Sequence, residues 1–542
     1  MRSTITALLM AALVCAAPTQ ADLQYELQSL TEQLVLDGGG QLPSGGLVYQ
    51  PAIVEEFYFD QNYQAAWQNR DQMARMLALL QASFSDGLEP EDYHYSELMS
   101  LWSQRDVDWP ERDRSRARFD VLLTDGMLLY VRHLLQGKAD PGQLDPNFNY
   151  ARIDFKPKKV SGNLRKAIAD DTIAAIVEQA RPSQSFYHQM KSALAYYREL
   201  NASRQFSLIP TDTVLKPGQT HTNIPPVRAR LAELGYTGSG SSTSRVYDPE
   251  LVTSVKQFQQ DHGLDIDGVV GRQSFAFLNM TYQARINSLR INMDRLRWIA
   301  QDVTDDLIIV NIAGFEMYYL RNQELFWESP VMVGTIEHQT PIFTARLKYL
   351  EFNPIWTVPR SIIGRSLLPK FKANPQYVLD KNYHLYDRSG NKVDPLKLNW
   401  ASYSINNFPF RVVQQPGEKN ALGRVKFIFP NRHAVYLHDT PARSLFSRSA
   451  RAFSSGCVRV KHPLEFAEVL LDDPEKWSLS QVEDLVTSGK PQERVYLDRD
   501  VDVMLMYWTT SPTRGGKLQF HTDIYDRDPA ALAALNTSPR VL

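Results

Sequence analysis

Apolar positions change their period about halfway along this chain. Up to about Leu208 they recur at helical spacing: Met73, Met76, Leu77, Leu80 and Phe84 fall on one face of a predicted helix, and Phe119 to Leu135 forms a second that Gly137 can terminate. The turns Asp86-Gly87 and Ala139-Asp140-Pro141-Gly142 separate such helices. Met and Leu stripes at this spacing are core contacts, so 22–210 reads as a helical scaffold without chemistry of its own. A polar stretch with Pro210, Pro217 and Gly218 then leads into a compact segment, 224–280. Three short helical patterns make up that segment, 227–234, 249–262 and 271–278, and Leu251, Val255 and Phe258 share a face that gives it a small core. The loop Gly238 to Ser242 between the first two is flexible by composition.

A connecting helix over 281–301 carries Ile286, Leu289, Met293, Leu296 and Ile299 on one side. The period then drops towards two. Short β-branched or aromatic runs at 307–310, 315–320, 325–333, 343–352, 425–429 and 434–437, separated by turns, predict a β-rich domain over 302–527. Polar, Asn-rich and Tyr-rich sequence over 362–417 interrupts that rhythm, and an insertion of this length within a sheet domain reads as a subdomain or lid. Residues 528–542 read as a C-terminal tail. The expected fold class is therefore α+β and multidomain, which 542 residues with 43% hydrophobic content can support.

The first residues suggest an address. Arg2 precedes an apolar run from Ile5 to Ala17, and the small residues Thr19 and Ala21 frame a cleavage site before Asp22, the pattern of a secretory signal peptide over 1–21. The run is well short of the roughly 20 residues that span a bilayer. Val14 before Cys15 argues against lipoprotein processing, and no other long apolar stretch follows, so the mature chain is expected to lack a membrane span. A formal charge of −2 offers no basic surplus for nucleic acid or anionic lipid.

Cysteine usage changes the picture more. The chain has two cysteines; Cys15 leaves with the leader, and Cys457 stands alone. A lone thiol in an oxidising compartment is exposed to oxidation and mispairing, so it is either a buried small hydrophobe or a reactive group. Its context is Ser454-Ser455-Gly456-Cys457-Val458-Arg459, 19 positions after His438 at the end of a strand-like Tyr436-Leu437. A thiol attacks carbonyl carbon as thiolate and needs a base within hydrogen-bond reach, for which His438 is the nearest good candidate. Gly456 permits close backbone approach, and the amide of Cys457, with that of Gly456 or Ser455, is placed to stabilise an oxyanion. His433 and His462 also flank the motif, but with His438 and Cys457 their spacings match no familiar zinc pattern. Trp356 and Tyr436 are candidates to line the cleft or to fill the sheet core.

Two sets of residues resemble known families. Val227 to Leu231, Leu234-Gly235-Tyr236, Val255 to Gln259, His262-Gly263-Leu264 and Asp267 to Gly271 are similar to the small three-helix peptidoglycan-binding domain of wall enzymes. His438 with Ser454 to Arg459 resembles the YkuD-type L,D-transpeptidases, whose signature is a histidine, a spacer, then Ser/Thr-x-Gly-Cys-x-Asn/Arg. Asn353 to Pro359, Asn420 to Gly423 and Tyr436 to Pro441, with the scaffold and the inserted capping subdomain, look like the large Gram-negative YcbB-like branch.

That resemblance implies Cys457 as nucleophile and His438 as base. It also implies a backbone carbonyl orienting the imidazole, which maps to Asp439, and Arg459 shaping the site or meeting a substrate carboxylate. The implied reaction takes peptidoglycan stem peptides and joins two third residues through a cysteinyl thioester with release of D-Ala. It needs no metal or organic cofactor. The family is typically acylated by carbapenems. Resolution of the thioester by water or by a lipoprotein amine stays open, as does a non-catalytic wall-binding role and association with other wall-synthesis proteins. The implied location is the periplasm, against the wall.

Overall fold

The computed structural model describes residues 20–36, 39–43, 45–105, 112–150, 153–236, 238, 241–513 and 517–542. The leader read over 1–21 lies almost wholly outside them, as do Ser239 and Gly240 of the loop in the small helical segment. Among the described residues no helix is long and apolar enough to cross a membrane.

In the scaffold, the Asn69 side chain accepts from the amides of Asp71 and Gln72 and starts the helix Arg70–Ala82. The helix Arg112–Gln136 stops at Gly137, whose φ of +80° suits glycine and where a Cβ would collide with the Trp298 ring. Met76, Leu77 and Leu80 face the core as their spacing predicts, but Phe84 does not. It lies beyond the α-helix in the 3₁₀ turn Ser83–Asp86, whose tighter winding rotates the ring outward, where the Arg198 guanidinium stacks on it at 3.4 Å.

Charge fastens the scaffold to the connecting helix Tyr282–Arg297. Asp86, fully buried, takes hydrogen bonds from Tyr130 (2.7 Å) and Tyr187 (3.1 Å) and ion pairs from Arg181 and Lys191 (3.1 Å each). Arg297 donates to the Asp86 carbonyl and pairs with Asp294 at 3.2 Å. Burial raises the Asp86 carboxyl, but Arg181, Arg297 and Lys191 outweigh it and hold it below the usual range.

The small unit folds as helices Ile224–Glu233, Pro249–Asp261 and Arg272–Leu278, and its core runs on into that of the connecting helix and the sheet. The residues read as a C-terminal tail are not loose. Asp528–Asn536 is a helix whose Ala531 and Leu535 pack on Ile291, and the Leu542 amide donates to the Tyr49 carbonyl at 2.8 Å. Few apolar residues carry that docking, which is why the composition reads as a tail.

The sheet domain opens with β1 (Asp306–Asn311), β2 (Glu316–Arg321), β3 (Glu324–Gly334) and β4 (Phe343–Phe352). An inserted subdomain follows with β5 (Trp356–Thr357), β6 (Tyr383–Tyr386), β7 (Lys392–Val393) and β8 (Arg411–Gln414), paired in the order β5-β8-β6-β7. Then come β9 (Val425–Ile428), β10 (Leu437–His438), β11 (Ala452–Ser454), β12 (Val458–Val460) and β13 (Glu493–Met506), with a hairpin of β14 (Thr510–Pro512) and β15 (Leu518–Phe520). The main sheet runs β11-β3-β12-β10-β9-β4-β13-β1-β2, and a further β2–β3 pairing wraps it round on itself. Strand β13 sits between β4 and β1, although its polar first half hides it from a search for apolar runs.

The insertion has its own core, built on Phe371, Leu385, Trp400, Phe408 and Val412, and begins at Trp356 rather than at 362. Asn420 ties the entering and leaving chains together, donating to the carbonyls of Pro354 (2.9 Å) and Gln415 (3.0 Å).

The buried charge cluster yields a stability prediction. Asp86→Asn leaves Arg181 and Lys191 without their carboxylate and should lower unfolding free energy by about 3–5 kcal/mol. Breaking the exposed pairs of Arg346 with Asp500 and Asp502 by Arg346→Gln should cost under about 1 kcal/mol. Urea denaturation of both variants checks the difference; equal losses would show that the buried cluster does not fasten the two helical segments.

Candidate functional site

Two short strands in parallel pairing set the site. Leu437 lies opposite Val458 and His438 opposite Arg459, and the Val458 amide donates to the Tyr436 carbonyl at 3.1 Å. Side chains alternate faces along a strand, so Leu437 and Val458 share one face and Tyr436, His438, Cys457 and Arg459 the other. The first face continues through Phe427 of β9 and Leu350 of β4, all fully buried, and is covered by Phe466 of the helix Pro463–Leu471. Apolar burial thereby fixes which way the second face points.

Across that second face the register aligns a row of charge: Arg494, Glu351, Lys426, His438 and Arg459 on consecutive strands. Glu351, itself buried, is 3.6 Å from the Lys426 ammonium and 3.3 Å from Arg494. Lys426 also lies over the Tyr436 ring at 4.6 Å. Cys457 is one position before Arg459's neighbour on the strand, diagonal to His438, a relation that puts Cα atoms on the order of 7–8 Å apart.

The imidazole of His438 is 4% exposed, and its Nδ1 lies 2.5 Å from the backbone oxygen of Asp439. A carbonyl only accepts, so Nδ1 carries the hydrogen and Nε2 is left with the lone pair. Asp439 contributes through this carbonyl alone. Its carboxylate is turned to Arg424, whose amide and guanidinium donate at 2.9 and 3.0 Å, and to Arg443 at 3.1 Å. Gly423 makes the packing possible, since a Cβ there would collide with the Asp439 side chain and its φ is +63°. Burial first, then the Arg459 charge, pushes the His438 ring down to about 3, while the carbonyls of Asp439 and Leu422 pull the other way.

The Cys457 thiol is turned onto the Ala434 carbonyl at 3.7 Å and interacts with the Tyr436 hydroxyl. It makes no hydrogen bond to His438 among the described residues. Burial pushes the thiol up, against the lowering effects of the Tyr436 amide and hydroxyl and the charges of Lys426 and Arg459. The resting pair is thus a neutral thiol and a neutral imidazole.

The loop before Cys457 is held from both sides. Thr340 donates its hydroxyl to the Gly456 carbonyl at 2.9 Å, and Tyr525 accepts from the Thr340 amide (3.2 Å) while donating to the Gly334 carbonyl (2.7 Å). Ser454 donates its hydroxyl to the Cys457 carbonyl and accepts from the Gly456 amide at 3.1 Å. The Gly456 N–H is therefore already engaged, which corrects its candidacy as an oxyanion donor. The amides of Ser455 and Cys457 make no hydrogen bond among the described residues. Arg459 has a buried Nε with no partner and faces no carboxylate there.

Trp356 is placed elsewhere: it starts the inserted subdomain and packs on that subdomain's core. Tyr436 stays beside the thiol and meets the His438 ring edge-on at 5.6 Å. His433 lies against Phe343 and His462 pairs with Glu465 at 3.2 Å, and among the described residues no three His, Cys, Asp or Glu side chains converge as a metal site. Lys426, Thr340 and Tyr525 were not singled out from sequence, and Ser454 entered only as the first residue of the cysteine motif. Lys426 left a trace, as the polar residue between Val425 and Phe427; Thr340 and Tyr525 left none. Glu337 belongs to the turn Ile336–His338, and the carbonyl of His338 lies close to Gly456.

Known proteins share domains with this chain. A family described as "L,D-transpeptidase catalytic domain", of YkuD type, matches residues 305–486. A "Scaffold domain" matches 52–194, and a "Putative peptidoglycan binding domain" matches 220–278. A curated protein of Haemophilus influenzae named "Putative L,D-transpeptidase" is 38% identical over 240 residues, 44% of this chain. The match spans 48% of that relative's length, about half. Among solved structures, an L,D-transpeptidase from Mycobacterium smegmatis shares 13% identity over 37% of this chain and 58% of its own, with a TM-score of 0.19. One from Stackebrandtia nassauensis shares 12% over 55% and 97%, with a TM-score of 0.20. Overlaps at such scores carry no weight for this chain. The chain therefore carries a YkuD-type L,D-transpeptidase catalytic domain together with a scaffold domain and a peptidoglycan-binding domain.

Proposed function

We propose that the protein cross-links peptidoglycan at the cell wall, in the periplasm, joining the third residues of two stem peptides through a thioester on Cys457. The observation that carries this reading is the shared face of β10 and β12, where Cys457 lies diagonal to a histidine whose free Nε2 is set by the Asp439 carbonyl. The thiol proton passes to His438 Nε2 as sulfur bonds to the carbonyl carbon of the third residue. The Cys457 amide receives the developing oxyanion. The amide bond to D-Ala then breaks, and His438 returns the proton to the leaving amine. In the second half the side-chain amine of another stem attacks the thioester, loses its proton to His438, and releases the thiol.

The surroundings supply what a neutral pair lacks. Lys426 and Arg459 stabilise negative charge on sulfur as it forms, and both disfavour a second positive charge on His438 before reaction. Arg459, which has no carboxylate partner among the described residues, is suited to a stem-peptide carboxylate. The inserted subdomain favours the amine over water by covering the acyl-enzyme.

Three outcomes test this. A carbapenem should add to the intact protein by mass, and not to Cys457→Ala. His438→Ala should slow the addition about 100-fold or more, while His433→Ala should leave it nearly unchanged; the reverse order would assign the base to His433. The acid side of the pH profile follows from the ring's low proton affinity. His438 loses its base form only as pH falls through about 3, so acylation should show no acid limb near the ordinary histidine value of about 6.5. A clear half-loss there, in a protein still folded, would contradict a neutral resting imidazole. Finally, donor tetrapeptides with a saturating acceptor should yield D-Ala and third-to-third dimers, and trimming the insertion should shift products towards tripeptide. Tripeptide alone from the intact protein would make it an L,D-carboxypeptidase.

A further inference from the structure

A cleft of about 580 Å³ lies where four parts of the chain meet. Tyr196 and Tyr197 come from the scaffold helix Ser185–Ser203, Tyr236 from the small helical unit, and Lys517 and Phe520 from the sheet domain. Arg285 of the connecting helix lines it as well. The volume is within the range of small-molecule sites, about 300–1,000 Å³.

Arg285 is the unusual member. It is 1% exposed, yet no carboxylate pairs with it among the described residues. One guanidinium nitrogen donates to the Phe277 carbonyl at 2.8 Å, and its Nε has no partner. The rings of Phe520 and Tyr197 lie 5.0 and 5.5 Å from the cation. Burial lowers its proton affinity, which the Tyr197 and Tyr236 hydroxyls only partly restore. A buried guanidinium without an anion is costly, and the buried arginines at Asp86 show how this fold otherwise meets that cost. Asp261, which lines the cleft, is 3.6 Å from Lys517. Tyr196 is half exposed and leaves an aromatic face in the opening.

We propose that this cleft is a binding site, separate from the Cys457 site, for a carboxylate-bearing muropeptide. The ligand carboxylate lies on Arg285, and its sugar or peptide stacks on Tyr196 and beside Tyr236. This rests on the reading that the substrate is peptidoglycan. Occupancy joins the scaffold, the small unit and the sheet domain around one wall fragment, leaving the Cys457 face free for another stem.

Lys517 gives a local readout, since its amine is exposed at the rim. The full chain is treated with an acetylating reagent in the presence and absence of a soluble disaccharide tetrapeptide, and modification of Lys517 is followed by peptide mass. The muropeptide should slow modification several-fold, in the parent and in Cys457→Ala alike, and a neutral chitotetraose should not. Arg285→Gln should weaken protection about ten-fold or more, and Tyr196→Ala, whose ring is exposed, should weaken it without unfolding. Carbapenem addition to Cys457 should be unchanged in both variants. Equal Lys517 modification with and without muropeptide overturns the site, as does equal protection by chitotetraose or by Tyr196→Ala. If Cys457 acylates normally while Lys517 stays unprotected, only the cleft is wrong; if Lys517 is protected and Cys457 inert, only the catalytic reading is.

Discussion

The parallel pairing of β10 with β12 is the constraint on which the proposed chemistry depends. Both strands are very short, so few hydrogen bonds hold them, and the register is set instead by Leu437 and Val458 entering the core beside Phe427 and Leu350. A slip of one residue would move His438 into that core and Leu437 out of it. Everything around the pairing resists such a slip: the Thr340 and Tyr525 hydroxyls anchor the loop before Cys457, and Gly423 lets Asp439 pack close enough to offer its carbonyl.

The same burial decides the electrostatics. Taking thiol and imidazole out of water disfavours the charged form of each, so the ion pair expected of an exposed cysteine and histidine is replaced by a neutral pair. Neighbouring cations then act asymmetrically. They oppose a proton on His438 and favour a negative sulfur, which suits a site where charge develops during reaction and is not stored beforehand. Glu351 holds Lys426 in place from the far side without touching the histidine.

Buried cations are treated in two ways across the molecule. Around Asp86, Arg181, Lys191 and two tyrosines converge on one carboxylate while Arg297 donates to the Asp86 carbonyl with its Nε unpaired, and the scaffold is thereby fixed to the connecting helix. Arg285, on that same helix, is packed among aromatic rings with one nitrogen unpaired. One cluster supplies its own carboxylate, and the other has none among the described residues. The inserted subdomain shows a similar division: its core is its own, while Asn420 fastens its two connections to the sheet domain.

By itself the sequence determined those features that are local. Helical spacing marked the scaffold and the three helices of the small unit, period-two runs marked most of the sheet, and the lone Cys457 with His438 and its glycine-containing loop marked the proposed site, because these patterns involve neighbours in the chain. Phe84, the late strand β13 and the docked helix Asp528–Asn536 escaped, since the first turns on a change of helix type and the others on partners more than a hundred residues away. Only the tertiary structure decided that Gly456 has no free amide, that Trp356 belongs to the insertion, and that the Asp439 carboxylate is turned to Arg424 and Arg443. It alone aligned Lys426 beside His438 and left Arg285 without a carboxylate partner among the described residues. Register and burial are properties of strands and helices brought together from distant segments, and composition and spacing carry no record of which segments meet.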